Sequence, residues 1–216
     1  GGIVVVAADD PSMHSSQNEQ DSRFYASFAL VPTFEPSNQQ EAYDMMESAF
    51  TLSETLKEPV VLRVVTRLAH SRAAVEVRDA RELQNLGICE ERWVLLPGIA
   101  RQRYAALIAK QDDMLKASAD SIYNKVEKGG GKLGIIACGI AYNYLMENYK
   151  DGECPYPVLK ISQYPMPEDL LNKLYDECES ILVLEEGQPL YERLIKGLLN
   201  KGKKVSGRLD GALPRT

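Results

Sequence analysis

The chain has 216 residues, 44% of them hydrophobic and 26% charged, with a formal net charge of −6. That suffices for one large or two small globular domains, and it excludes a disordered tail, a collagen-like repeat and low-complexity sequence. No apolar run approaches the ~20 residues that span a bilayer, no secretory leader opens the chain, and the acidic balance argues against general nucleic-acid binding.

The chain opens at Gly1-Gly2, without an initiator Met, and reads as a fragment or a processed chain. Ile3–Ala8 is continuous and β-branched, the pattern of a strand buried on both faces of a parallel sheet. It runs into Asp9-Asp10-Pro11-Ser12 and a polar stretch as far as Arg23. Polar residues past the carboxyl end of such a strand are where open α/β sheets place ligands. Phe24–Leu30 reads as a short helix and Val31–Phe34 as a short strand. Ser37, with Gln40 at the capping-box position, opens a helix whose apolar stripe is Ala42, Met45, Met46, Ala49 and Phe50 and which Pro59 ends. Val60–Val65 is a second buried strand, followed by Thr66-Arg67-Leu68-Ala69-His70-Ser71-Arg72.

Residues 73–98 read as an Arg/Glu-rich connector with an apolar anchor at Trp93–Pro97. From about Ile99 to Val126 a helical stripe of Tyr104, Leu107, Ile108, Leu115, Ala119, Ile122 and Val126 predicts one long amphipathic helix, stopped by Gly129-Gly130-Gly131. Strands near 133–137, 158–161, 181–184 and 203–205 then alternate with helices near 141–149, 167–178 and 189–199, so a mostly parallel sheet with right-handed crossovers follows.

His14 and His70 each follow a strand, and if the strands are neighbours both could face one pocket and transfer protons near neutral pH. As isolated histidines, each is more readily read as a structural hydrogen-bonder. Asn18 and Glu19 sit in the same loop as His14, which can grip a polar ligand or simply satisfy its own backbone. Arg67 can hold a carboxylate in its fork or make a surface ion pair. Arg63, a charge inside an apolar run, reads as paired rather than catalytic. Asp9 and Asp10, adjacent on an extended chain, point opposite ways. Cys138 reads as a small buried residue and Glu185-Glu186 as a polar strand end. Neither G-x-G-x-x-G nor G-x-x-x-x-G-K-[ST] occurs, which excludes the dinucleotide-binding and P-loop readings. The four cysteines (Cys89, Cys138, Cys154 and Cys178) form no C-x-x-C and there are two histidines, which speaks against a zinc or iron–sulfur site within this chain and fits reduced thiols in a cytoplasm.

The segments GGIVVVAADDPSMHSSQNEQDSRFYA, EPSNQQEAYDMMESAFTLSE and PVVLRVVTRLAHSR resemble the alpha subunits of the indolepyruvate:ferredoxin oxidoreductase family, in the thiamine-diphosphate-dependent 2-oxoacid:ferredoxin oxidoreductase superfamily. RWVLLPGIARQR, KLGIIACGIAYNY and GRLDGALPR fit the same subunit, so the resemblance covers nearly the whole chain. It implies oxidative decarboxylation of an aryl 2-oxoacid, with coenzyme A acylated and ferredoxin reduced. It also implies a domain map: residues 1–72 as the C-terminal part of a pyrimidine-binding α/β domain, 73–131 as a connector with the long helix, and 132–216 as a transketolase C-terminal-like domain. The full enzyme would carry thiamine diphosphate with Mg²⁺ and iron–sulfur clusters. The activating glutamate, the diphosphate motif and the cysteine clusters are missing here, and Leu209-Asp210-Gly211 does not replace the diphosphate motif, so this piece alone is expected to bind no cofactor and to be inactive. On the family's pattern His14, Asn18, Glu19, Arg67 and His70 are the substrate-side candidates. Implied partners are the remainder of the alpha subunit, a beta subunit, ferredoxin, coenzyme A and the 2-oxoacid, with no nucleic acid and no membrane. A half domain leaves a sheet edge uncovered, which predicts a homodimer through residues 1–72. The alternatives are a non-catalytic subunit-interaction module, and the equivalent piece of a pyruvate or other 2-oxoacid enzyme.

Overall fold

The computed structural model describes residues 1–80, 94–149, 153–198, 203–207 and 210–213. In chain order these form β1 (Val4–Asp9), α1 (Arg23–Ala29), β2 (Thr33–Phe34), α2 (Gln39–Leu56), β3 (Val60–Val65) and α3 (Thr66–His70). There follow α4 (Pro97–Ala109), α5 (Gln111–Ala119), β4 (Lys125–Glu127), β5 (Leu133–Cys138), α6 (Ile140–Met146), β6 (Val158–Ile161) and β7 (Gln163–Tyr164). The last elements are α7 (Glu168–Glu177), β8 (Ser180–Leu184), α8 (Leu190–Leu198) and β9 (Lys204–Ser206).

Two sheets result, ordered β1-β3-β2-β7 and β4-β6-β5-β8-β9. In the first, β3 lies parallel to both β1 and β2, with Val4 opposite Val60 and Thr33 opposite Val61. In the second, β6, β5, β8 and β9 are parallel, as the alternation of strand and helix predicts, and β4 is antiparallel. The short β7 went unread in the sequence, because two residues carry no periodicity. It leaves the end of β6 and adds antiparallel to β2, so the first sheet's far edge comes from the last third of the chain. Asn124 fixes this joint. Its Oδ1 accepts from the amides of Ser162 (2.7 Å) and Gln163 (2.9 Å), and its Nδ2 donates to the carbonyls of Gln163 and Ser118.

Four expectations need correction. β1 is an edge strand, not a doubly covered one: Val5 and Val6 point to opposite faces and are 48% and 54% exposed. The cap of α2 is one residue later than read. Asn38 accepts the Glu41 amide, and the Glu41 carboxylate, rather than Gln40, reaches back to the Ser37 amide and hydroxyl. The single long helix is instead α4, α5 and a strand. The chain breaks at Lys110, α5 restarts with Asp112 and Asp113 in its first turn, and Val126 lies in β4, where β6 supplies its backbone partners. The apparent stripe joined three elements, and α4 buries none of its residues. Finally, Val94, Leu95 and Leu96 are exposed and anchor nothing, while Trp93 and Cys89 lie outside the described residues.

The cores match this layout. Ile136, Leu159 and Ile161 of the second sheet pack with Leu171, Leu174 and Ile195 from α7 and α8. Met45, Ala49, Val60 and Leu62 form the first sheet's core, sealed by Phe34 edge-on to Tyr123 at 5.8 Å.

Candidate functional site

The carboxyl ends of β1, β2, β3, β5 and β8 converge where the two sheets meet, and polar side chains fill the space between them. Arg63, at the fourth position of β3, is fully buried. Its Nε donates to Asp9 at the end of β1 (2.5 Å), its Nη1 to Glu35 just past β2, and its Nη2 to the Glu186 carbonyl (3.2 Å). Arg23, at the start of α1, is equally buried. It grips Asp21 through two nitrogens (2.8 and 2.5 Å) and reaches across to Glu185 (2.9 Å) and the Gln188 carbonyl (2.8 Å). Tyr164 donates its hydroxyl to Glu35 (2.7 Å), and Glu185 also accepts the Tyr191 and Glu192 amides in the first turn of α8.

Two glycines make room for this packing. Gly139, with φ +52°, follows β5 directly, and a Cβ there would meet the Glu35 side chain at 2.4 Å. Gly187, with φ +102°, would meet Asp21 at 2.6 Å. Both positions combine a left-handed backbone with a close approach, which only glycine tolerates.

Four buried carboxyls thus surround two guanidiniums. Burial alone would raise the Asp21 carboxyl, but the hydrogen bond and charge of Arg23, aided by Arg63, outweigh it and hold Asp21 below the usual range. Glu185 moves the other way, because its burial outweighs Arg23 and the two amides. Burial also drives the Cys138 thiol well up, which fits a small core residue and not a nucleophile.

The polar loops stand outside this junction. Asp9 and Asp10 diverge as expected: Asp9 turns inward to Arg63 and Ser22, and Asp10 accepts from the Thr66 hydroxyl (2.6 Å) and from the amides of His14, Ser15 and Ser16 (3.1, 2.7 and 2.7 Å). These bonds, Thr66 foremost, hold the Asp10 carboxyl far below the ordinary range. His14 and Asn18 are exposed, and Glu19 is half-buried with its carboxylate on the Ser12 amide (2.8 Å). Arg67 is exposed, its guanidinium 5.6 Å from the centre of the Tyr144 ring. The Tyr144 hydroxyl is pushed up to about 12 by burial and then by Glu186, against Arg67. His70 is exposed at the end of α3.

A cavity of about 600 Å³ takes Asn18 and Glu19 into its wall with Asp9, Asp21, Phe24 and Gln188; His14, Arg67 and His70 do not line it. Three carboxylates in one wall make it a poor receptor for an anion. β1 and β3 are neighbouring parallel strands, so His14, in the loop after β1, and Arg67 and His70, in α3, follow from the same sheet end. Sequence reasoning passed over Glu35 and Tyr164 and counted Asp21 and Arg23 only within the polar loop after β1. The one signal pointing to them was Arg63, a lone charge in an apolar strand that has to find partners.

No described group of three or more His, Cys, Asp or Glu side chains is placed to hold a metal ion. Asp210 uses its carboxylate to accept the Gly207 and Ala212 amides of its own turn. The described residues therefore do not fit a metal-bound diphosphate or an iron–sulfur cluster. No helix among the described residues is long and apolar enough to cross a membrane.

Known proteins resemble this chain along its whole length. The indolepyruvate oxidoreductase subunit IorA of Methanothermobacter thermautotrophicus is 39% identical over 99% of this chain. The IorA subunits of Archaeoglobus fulgidus and Thermococcus kodakarensis are each 38% identical, over 99% and 100% of it. By sequence, the chain is a homologue of the IorA subunits. It spans about a third of their length, 36%, 35% and 35% respectively. No family model matches the chain. Among solved structures, a 2-oxoglutarate:ferredoxin oxidoreductase from Magnetococcus marinus superposes with a TM-score of 0.63 over 95% of this chain and 45% of its own, at 13% identity. At that identity the likeness speaks for the fold: mixed α/β, with the two sheets described above.

Proposed function

We propose that this chain is a part of the catalytic alpha subunit of an indolepyruvate:ferredoxin oxidoreductase, which oxidatively decarboxylates aryl 2-oxoacids to acyl-CoA and passes the electrons to ferredoxin. The observation that carries this reading is the similarity to IorA subunits along the whole chain. In it, the thiamine diphosphate, its Mg²⁺ and the iron–sulfur clusters are held by the remainder of the alpha subunit, and a beta subunit completes the enzyme. This chain supplies the substrate-side rim. Arg67, exposed beside His70 and lying over Tyr144, is the group suited to a 2-oxoacid carboxylate, with His14 across the β1 end as a hydrogen-bond donor. Asn18 and Glu19 belong to the same loop and orient it.

The test is reduction of ferredoxin by the alpha subunit assembled with its beta subunit, with coenzyme A and a series of 2-oxoacids. Indolepyruvate turned over in preference to pyruvate and 2-oxoglutarate supports the reading. No reduction with any aryl 2-oxoacid overturns it, and a preference for pyruvate moves the enzyme to another substrate class. Calorimetric titration of thiamine diphosphate and Mg²⁺ into this chain alone should give no heat.

The isolated chain is further expected to pair with a second copy through residues 1–72. The support is the unpaired edge of β1, where Ile3–Ala8 holds neither charge nor proline and leaves Val5 and Val6 exposed. Sedimentation should give a dimer, and Val6→Lys a monomer. A wild-type monomer at high concentration overturns it.

A further inference from the structure

The loop after β1 and helix α3 carry all the rim candidates; α3 is seated by Leu68, which packs with Val65 and Ile140, while the loop is held mainly by polar bonds. Pro11 and Leu68 are buried, while the residues from Ser12 to Asn18 are exposed or half-exposed. Ser12 and Met13 both adopt left-handed backbone angles, φ 66° and 52°, which non-glycine residues avoid unless their surroundings impose them. What imposes them is Asp10. Its two oxygens collect the amides of His14, Ser15 and Ser16, and its carbonyl takes the Met13 amide (3.1 Å). The same carboxylate accepts the Thr66 hydroxyl, 56 residues on, at the first position of α3. One side chain therefore bonds to the His14 backbone and to the residue before Arg67. Glu19 and Gln20 brace the loop from outside, through the Ser12 and Asp10 amides.

The geometry points to Asp10 as a positioning residue, one that binds the His14 loop and the Arg67–His70 turn into a single body and so sets where those side chains stand. It is no candidate for contact with the reacting atoms, since its hydrogen-bonding capacity is spent on five donors from these two segments, including the more distant Ser15 hydroxyl at 3.4 Å. A carboxylate is required for this, because each partner is a donor. An amide in its place would turn an N–H toward at least one N–H or O–H. The inference rests on the proposed function for what the rim does, but not for the coupling itself.

Asp10→Asn, Thr66→Val and Thr66→Ser should be made in the assembled enzyme and read in two ways. In amide hydrogen exchange, Asp10→Asn is expected to speed exchange by about tenfold or more at His14–Ser16 and at the Arg67 turn together. Thr66→Val should speed both segments less, and Thr66→Ser should restore protection. In steady-state kinetics, Asp10→Asn should raise KM for the 2-oxoacid and lower kcat on the order of tenfold to a hundredfold, the scale on which ~1 Å of misplacement acts, with KM for coenzyme A unchanged. A merely structural loss of active enzyme would lower kcat and leave every KM alone. Unchanged exchange in Asp10→Asn, loosening of the first loop without the second, or an unchanged 2-oxoacid KM overturns the assignment. A wild-type enzyme inactive toward aryl 2-oxoacids overturns the functional reading instead, and the exchange data then decide the coupling on their own.

Discussion

β3 and β5 are both six-residue inner strands of largely parallel sheets, and they solve the same burial problem differently. β5, Leu133–Cys138, is apolar throughout and lies against α7 and α6. β3, Val60–Val65, carries a guanidinium at its fourth position, as buried as any valine beside it. In the second sheet, the neighbour of β5, β6, carries one buried charge, Lys160, paired with Glu41 of α2. The first sheet is held at its centre by charge: Arg63 meets Asp9, Asp21 and Glu35 from three segments of the first half, and the Glu186 carbonyl from the loop after β8 of the second sheet. Packing stabilises one sheet and ion pairing locks the other to it. A buried ion pair adds little net stability over an apolar replacement, but it is costly to break by half.

The largest effect that would test this contrast is Arg63→Met. It leaves Asp9 and Glu35 buried without their cation, and a loss of about 3–5 kcal/mol is expected by denaturant unfolding. An effect below about 1 kcal/mol, the surface-pair range, would show that the first sheet does not depend on its ions. Asn124→Ala comes next. It strands the Ser162 and Gln163 amides at the joint between the sheets, and a loss of about 2–3 kcal/mol follows from leaving such groups unsatisfied.

Acid should separate two of the junction's carboxyls, Asp21 and Glu185. The folded-state pKa of Asp21 lies below its unfolded value, so its contribution is present above the usual carboxylate range of ~4 and is lost as pH falls through the folded value. Glu185 is raised, so it favours the folded state most below ~4, and that contribution is lost as pH rises through its folded value. Asp21→Asn should therefore blunt the acid limb of the stability profile. Glu185→Gln should gain on the wild type between pH 4 and 7. Parallel profiles for wild type and Glu185→Gln would mean that Glu185 titrates as an ordinary carboxyl.

How much of this was legible depended on whether a feature was local. The strands at 60–65, 133–138, 158–161 and 180–184 announce themselves by β-branched and apolar runs, and all are present within a residue or so. The divergence of Asp9 and Asp10 follows from strand geometry alone, as does the paired state of Arg63. The identity of its partners was not readable, because Glu35 and Glu186 lie 28 and 123 residues away and look like ordinary turn acids. Periodicity also misled where adjoining elements shared it. Tyr104 through Val126 keeps a helical stripe on paper, but the break at Lys110 has no glycine or proline to announce it, and Val126 is claimed by pairing with Leu159. The rim candidates were legible as polar loop residues. Their coupling through Asp10 was not, since Thr66 is 56 residues away.

The smallest expected effect is the control that gives the others meaning. Lys132 and Glu179 form an ion pair at the amino end of β5, with side chains 76% and 66% exposed. At this exposed end, charge should count for almost nothing. Both side chains stay hydrated when separated, and salt screens what attraction remains. Lys132→Ala should shift unfolding by no more than about 0.5 kcal/mol, and the shift should vanish in high salt. The Arg63→Met loss should persist there, because its partners are out of reach of solvent ions. If both losses faded with salt alike, the junction would be wetter than its burial implies, and the contrast between a packed sheet and a charge-locked one would fail.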